Sequence, residues 1–346
     1  MGNLLAVRET SILSWDEHGG PWKLHYGDSL IGGESPFIPV SIEGLNDITE
    51  IRTSDLNLAQ INGEYPGRDF MSGRTITLTF KIPGNAGNGN FSQLVNEANR
   101  AFAYQEKEAD VHSTTDHGIL RGNIPGLAEG NDFRLACRVR KRAVLIDENY
   151  FAGAAEVVVE LHASQPYLLI DEEQSGSVGE RKESEGGVTF PADKSGVFFD
   201  YDKDHPENDG VQFEAGSSEG GDITCTNSGN ADTWPTYAFH GPVTNPVITN
   251  ADTGEFIKFN CTIAAGSKLV VDTLKRTVLL NGIGNRYQYT DVYSTWFPFK
   301  AGADTTIQYK TANTDWTRRL LKSPFGNDDT PNQTATCDVV WRSAWS

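Results

Sequence analysis

Several classes of function are removed by what this chain lacks. It has no run of about 18 consecutive apolar residues, so no membrane-spanning helix is expected and no membrane insertion. Its first residues, Met1-Gly2-Asn3-Leu4-Leu5-Ala6-Val7-Arg8-Glu9, offer neither a basic start nor a long apolar core, and no secretory signal is expected. Cysteine is sparse. Cys137, Cys225, Cys261 and Cys337 lie far apart and form no CxxC pair, which is neither a dense disulfide framework nor a zinc site. Disulfides stay open at this point, with buried free thiols the expectation. Cations are outnumbered, 29 Lys and Arg against 47 Asp and Glu, for a net charge of −18. That balance argues against a nucleic-acid reader, because phosphate contacts need Lys and Arg.

Catalytic signatures are missing as well. There is no GxSxG, HExxH or P-loop, and Gly84, Gly87 and Gly89 do not have the spacing of a dinucleotide-binding turn. The seven histidines are scattered and pair with no obvious nucleophile. Carboxylate pairs such as Asp171-Glu172 sit where no preorganised pocket is expected for acid–base chemistry. The segment Asp200-Tyr201-Asp202-Lys203-Asp204-His205 opens like a calcium loop. Its sixth and twelfth positions are His205 and Val211, however, where an EF-hand needs Gly and Glu, so it reads as a solvated acidic loop. The expectation is a chain with no enzyme activity, no cofactor and no metal.

What is present is turn-rich: 35 glycines and 15 prolines favour a mainly β fold over a helical bundle. The chain is organised around residues 56–82. Ile76, Leu78, Phe80 and Ile82 alternate with Thr75, Thr77, Thr79 and Lys81, the period of a half-buried strand. Shorter strands at 37–40 and 48–58 feed it. Just before the alternating strand, residues 61–73 form a loop too long for a tight turn and rich in mixed charge and glycine. A loop of that kind in a compact domain is usually functional or disordered, and it reads as an arm reaching to a neighbouring subunit. Its candidate contacts are Tyr65, Arg68, Asp69, Phe70 and Arg74.

One helix is expected at 91–104, capped by Asn90 with Gln93 three residues on, and carrying a stripe of Leu94, Ala98, Ala101 and Phe102. A hairpin follows. Phe133, Leu135, Cys137 and Val139 alternate on one strand, and Ala155, Val157, Val159 and Leu161 on the other. Centred on Asn149, it sets Arg138 opposite Glu160 and Arg142 opposite Glu156. The basic run 138–142 therefore reads as a paired strand face more than as a binding patch. The Gly-, Ser- and Glu-rich stretch at 169–187 reads as a linker. It separates domains at 1–168 and 188–346, the second a β-sandwich of many short strands. Five of the seven tryptophans fall there, at 234, 296, 316, 341 and 345. Core packing is the plain reading for most, with Trp316 and Trp345 the expected exposed pair and candidate contacts for glycan or a partner.

Three blocks of sequence carry a family resemblance. The first is Gly73-Arg74-Thr75-Ile76-Thr77-Leu78 with the helix bearing Phe91, Leu94 and Val95. The second is the hairpin running from Arg134 to Pro166-Tyr167. The third runs through Asn227-Ser228-Gly229-Asn230-Ala231-Asp232-Thr233-Trp234-Pro235, Gly241-Pro242-Val243-Thr244-Asn245-Pro246, Asp272-Thr273, Asn281-Gly282 and Trp296. In order and spacing these resemble the distal tail proteins of siphoviruses, the Dit-like minor tail components. The resemblance implies an N-terminal ring-forming β domain with an arm loop and a galectin-like C-terminal β-sandwich. It implies a structural virion protein at the tail tip, assembled in the host cytoplasm as a hexameric ring. The implied partners are the major tail tube protein, a tail-tip or tail-associated lysin-like protein and the tape measure protein, with phage DNA passing through unbound. The alternative is a carbohydrate-binding module that adheres to the host surface.

Overall fold

The computed structural model describes residues 24–27, 29–32, 35–58, 60–83, 91–110, 118–184, 188–189, 212–213, 217–219, 221–311 and 335–346. The fold is mainly β. It divides into two compact units, one of residues 1–173 with 228–231 and 342–346, the other of residues 174–227 with 232–341.

In the first unit, strands β1 (Leu24–Tyr26), β2 (Ser29–Ile31), β3 (Ile38–Glu43), β4 (Ile51–Arg52), β5 (Leu56–Asn57), β6 (Glu64–Tyr65), β7 (Phe70–Met71) and β8 (Arg74–Ile82) precede helix α1 (Phe91–Ala101). After it come β9 (Ile119–Gly122), β10 (Phe133–Ala136), β11 (Arg138–Val144), the short helix α2 (Glu148–Phe151), β12 (Ala155–Ala163) and β13 (Leu168–Ile170). Two sheets result. One has the order β2-β1-β9-β10-β13 and then the C-terminal strand Ala344–Trp345; the other has the order β11-β12-β8-β3. The alternation along β8 and β12 buries one face of the second sheet against the first, with Leu94, Val95, Ala98 and Phe102 of the α1 segment in the same core. Phe102 stacks on Tyr26 at 5.2 Å and meets Phe80 at 5.6 Å, so the helix is pinned to both sheets by aromatic contact.

The hairpin expected from 133 to 161 is divided differently. The alternating run through Cys137 is two strands, β10 in the first sheet and β11 in the second. The chain changes sheet at Cys137, whose N–H donates to Gly118. Register also differs. Arg138 lies opposite His162, and a bulge between Val139 and Lys141 brings Lys141 opposite Glu160 and Arg142 opposite Val159. Glu156 instead faces Lys81 across β8, at 3.9 Å. The cause is the bulge together with a hairpin connection that contains α2, capped by the Asp147 carboxylate accepting from Tyr150 N. The capping residue expected for α1, Asn90, lies outside the described residues.

The stretch expected as a linker is strand in part. β13 belongs to the first unit, and Gln174–Gly179 pairs with Thr336–Trp341 along its length. One of its glycines lies under a packed side chain: a Cβ on Gly176 would come 2.3 Å from the Ile223 side chain, so glycine leaves that side chain its place. The C-terminal residues 342–346 group with the first unit. There the buried Arg342 guanidinium donates to the carbonyls of Ile170 and Asp171 and to the Glu173 carboxylate, holding the chain end against β13.

The second unit is a β-sandwich. One sheet has the order Gln174–Gly179, Thr336–Trp341, Thr236–His240, Lys268–Asp272, Thr277–Leu280 and Gly284–Asn285. The other has the order Asp222–Asn227, Ala303–Lys310, Val247–Asn250 and Phe256–Lys258. Their inward residues, among them Tyr237, Phe239, Ile248, Ile257, Phe299, Ile307 and Tyr309, make one core. Asn281-Gly282 takes positive φ at both residues, +52° and +76°, as a two-residue hairpin turn requires. Cys225 and Cys337 are buried in this unit and Cys137 in the first, all as free thiols, with Cys261 half-buried. The acidic loop at 200–205 lies outside the described residues.

Candidate assembly interface

The loop predicted as an arm is part of a larger two-stranded ribbon that begins near residue 48. β4 pairs with β7, Ile51 opposite Met71 and Arg52 opposite Phe70. β5 pairs with β6, Leu56 opposite Tyr65 and Asn57 opposite Glu64. The rungs between are supplied by side chains: Ser54 Oγ donates to Arg68 O at 3.2 Å, and Asp55 Oδ1 accepts from Gly67 N at 2.7 Å. A Cβ on Gly67 would sit 2.4 Å from Ser54 O, so only glycine allows this close crossing. Arg68 lies over the Phe70 ring at 5.3 Å, a cation–π contact worth about 0.5–1 kcal/mol where exposed. The ribbon is thus a preformed element.

Every described residue from 50 to 58 and from 60 to 70 is exposed. Ile48, Ile51, Leu56, Leu58, Ile61, Tyr65 and Phe70 are large apolar side chains with no cover. Uncovered apolar residues in such a concentration mark an interaction surface. Tyr65, Arg68, Asp69 and Phe70, expected as contacts, all stand on this ribbon.

Arg74 does not. It is 1% exposed, and its guanidinium donates to Pro166 O at 2.7 Å, Gly44 O at 3.0 Å, Leu45 O at 2.7 Å and Asp47 O at 2.9 Å. Burial pushes its pKa down, with Asp47 acting the other way. Arg74 begins β8, where the ribbon's outgoing limb ends, and the carbonyls of 44–47 lie just before the incoming limb. The side chain therefore ties the ribbon's two roots together. Its role as a contact to another subunit is corrected to that of an internal clasp.

Trp345 is also corrected. It is 5% exposed and packs in the first unit's core, because the C-terminal strand pairs with β13. Trp316 lies outside the described residues. Among the described residues, the exposed aromatics of the second unit are elsewhere, in the segment 283–296. Tyr287 stacks parallel to the half-buried Trp296 at 6.3 Å, and Val292 and Tyr293 are 89% and 79% exposed. The segment is held firmly: Asp291 N donates to Lys258 O, Asn260 N to Tyr289 O and Thr295 N to Phe256 O. The Asp291 carboxylate accepts from Tyr293 N and Asn260 Nδ2, which lowers its pKa. Among the described residues, no group of three His, Cys, Asp or Glu is placed to hold a metal ion. No helix among them is long and apolar enough to cross a membrane.

Residues 228–319 match the family described as siphovirus-type tail component, C-terminal domain. The chain carries a siphovirus-type tail component domain. The matched segment contains most of the third block on which the sequence resemblance rests. Over the whole chain, the fold is similar to the crystal structure of the phage SPP1 Dit protein. That structure is described as a paradigm of the hub adsorption apparatus in phages infecting Gram-positive bacteria. The TM-score is 0.55 at 10% identity, with 94% of this chain and 99% of that one covered. The phage P2 baseplate in its activated conformation, solved with Ca and with Sr, aligns at TM-score 0.40 and 9% identity, over 84% of this chain and 98% of that one. No curated protein matches the sequence. The domain match ties residues 228–319 to siphovirus tail components, and the likeness to the SPP1 protein shows a shared fold.

Two exposed features lie outside what the sequence led us to expect. The segment 48–58, expected as a short strand feeding the stretch 56–82, is the incoming limb of the ribbon, and its Ile48, Ile51, Leu56 and Leu58 are as exposed as the loop they face. The segment 287–296 signals itself by density, three tyrosines and a tryptophan within ten residues.

Proposed function

We propose that this tail component is a structural ring adaptor at the distal end of a phage tail. It joins the tail tube to the tip, forms a ring of about six copies by clasping neighbours with the 48–71 ribbon, and encloses the path of the DNA. The observation that carries this reading is the ribbon itself, a preformed element on which Ile48, Ile51, Leu56, Leu58, Ile61, Tyr65 and Phe70 are uncovered. A closed ring buries such a heterologous contact once per subunit. The chain has no catalytic role in this reading. Its partners are the major tail tube protein, a tail-tip or lysin-like protein and the tape measure protein, and it resides in the virion. The net charge of −18 keeps DNA phosphates from adhering as they pass. Light scattering of the purified chain at several concentrations, followed by negative-stain imaging, tests the reading. A ring with a central hole is the expected result, lost when residues 53–67 are replaced by a short turn. A monomer at every concentration refutes ribbon-driven assembly.

A second reading has its own observation. The galectin-like sandwich presents Tyr287, Tyr293 and Trp296 on a rigid surface segment, and aromatic faces of this kind stack on sugars. In this reading the second unit adheres to host saccharide. Glycan-array binding that is lost in Tyr293→Ala supports it, and an array with no signal removes it.

A further inference from the structure

β11 is an edge strand with an unusual profile. A strand against a core shows alternate burial, as β8 and β12 do. β11 instead has four consecutive exposed residues, Arg140, Lys141, Arg142 and Ala143, beginning at its bulge. All four side chains of this stretch are exposed, and among the described residues no strand pairs with its outer edge, which the bulge and the cations guard against indiscriminate strand addition. The Arg142 side chain is engaged with the carbonyls of Asn99 and Phe102. No hydrogen bond or ion pair joins Arg140 or Lys141 to a described residue. Just beyond the strand, Leu145, Ile146 and Phe151 are 54%, 65% and 83% exposed around the hairpin tip.

The ribbon is the complement of this surface. Residues 48–71 carry four carboxylates, Glu50, Asp55, Glu64 and Asp69, against two guanidiniums, Arg52 and Arg68. Glu64 and Asp69 are exposed with no partner among the described residues, beside the uncovered Tyr65 and Phe70. Topology separates the two surfaces within one copy. The ribbon leaves the four-stranded sheet between β3 and β8, while β11 is the opposite edge. A head-to-tail ring needs two different surfaces of this sort on each subunit, one for each neighbour.

We infer that the exposed stretch of β11 with its hairpin tip, centred on Arg140, Lys141 and Phe151, is the acceptor for the acidic, apolar ribbon of a second copy of this chain. The inference rests on the ring reading and deepens it by naming the receiving surface. The ribbon's apolar side chains meet Leu145, Ile146 and Phe151, and Glu64 and Asp69 meet Arg140 and Lys141.

The experiment is sedimentation velocity on four full-length proteins over a concentration series, each first shown folded by circular dichroism. They are wild type, R140E/K141E, E64K/D69K and the chain with residues 53–67 replaced by a short turn. Each charge variant is expected to self-associate at least tenfold more weakly than wild type. An equal mixture of the two is expected to recover assembly, because each one's ribbon then faces an acceptor of opposite charge. Wild-type assembly by R140E/K141E overturns the inference, and so does a mixture that fails to recover. The ribbon replacement separates the two failures. If it still assembles, the ring reading is wrong at its root. If it does not, while R140E/K141E does, only the acceptor is misassigned. A wild type that stays monomeric throughout overturns both.

Discussion

Arg74→Met tests whether the clasp at the ribbon's roots is internal. The substitution keeps most of the side-chain volume and removes the fork. Four carbonyl oxygens then lose a donor, and the contacts to Pro166 and Leu45 are the fully buried ones. A buried acceptor left unpaired costs about 1–3 kcal/mol. Two of them cost about 2–6 kcal/mol, and part is returned because a guanidinium that burial disfavours is no longer present. The net expectation is a loss of about 2–4 kcal/mol. For a unit of this size each 1 kcal/mol moves Tm by about 2–4 °C, so the first unit melts roughly 4–16 °C lower. Arg74→Lys keeps the charge but not the planar fork and recovers about half of the loss. Scanning calorimetry gives the transition, and hydrogen exchange on β8 and β12 assigns it to the first unit. If Arg74→Met melts within about 1 °C of wild type yet no longer assembles, the clasp is refuted and Arg74 is an interface residue after all.

Three further outcomes follow from the same geometry. Gly67→Ala places a methyl 2.4 Å from Ser54 O, so the ribbon buckles; assembly weakens, while Tm of the isolated chain, read by calorimetry, moves by less than about 0.5 kcal/mol equivalent because the ribbon is exposed. Trp345→Ala empties a buried core position and destabilises the first unit by about 3–5 kcal/mol in urea titration; a loss below about 1 kcal/mol shows that the tryptophan is not packed there. Alkaline pH destabilises the second unit. Burial raises the Cys225 thiol from 9.0 to about 12, so only the unfolded state ionises between those values; stability is intact below pH 9 and falls above it by about 1.4 kcal/mol per pH unit for that thiol. Buried Cys337 is displaced in the same direction and adds to the slope. Urea midpoints at pH 8, 9 and 10 check it, and a flat profile contradicts burial of these thiols.

Local periodicity was readable and nonlocal pairing was not. Ile76, Leu78, Phe80 and Ile82 announce their strand because alternation needs only neighbours in sequence, and the helix at 91–101 announces itself in the same way. Arg74 is in phase with that buried row, two residues before Ile76. Parity alone placed it inward, but the habit of reading arginine as surface overrode the signal. The Gly- and Ser-rich stretch at 174–179 looks like a linker because small residues are common to flexible chain and to crowded strands. Only the partner, here Ile223 over Gly176, distinguishes them. Trp345 was misplaced for a different reason. A chain end carries no sign that it returns to pair with a strand some 175 residues earlier, Leu168 with Trp345. The register of β11 on β12 depends on a bulge that no pattern of apolar residues marks.

A chain with net charge −18 must associate against its own repulsion, and this makes salt a test of where the attraction lies. Repulsion between whole subunits acts over the Debye length, about 30 Å at 0.01 M salt and about 10 Å at 0.1 M. It fades early as salt is added. Attraction between Glu64 or Asp69 and Arg140 or Lys141 acts at contact and is screened strongly only when the Debye length approaches about 3 Å, near 1 M. The two dependences have opposite sign and different ranges. Self-association should therefore rise from low salt, pass through a maximum near about 0.1–0.3 M, and fall toward 1 M. Apolar burial by Tyr65, Phe70 and Phe151 gives no such fall, since salt leaves it unchanged or strengthens it. Sedimentation across that range separates the cases. In R140E/K141E the high-salt fall should vanish, because the attraction that salt screens has been removed. A wild type whose association climbs steadily to 1 M would place the holding energy in the apolar contact alone and deny β11's cations any part in it.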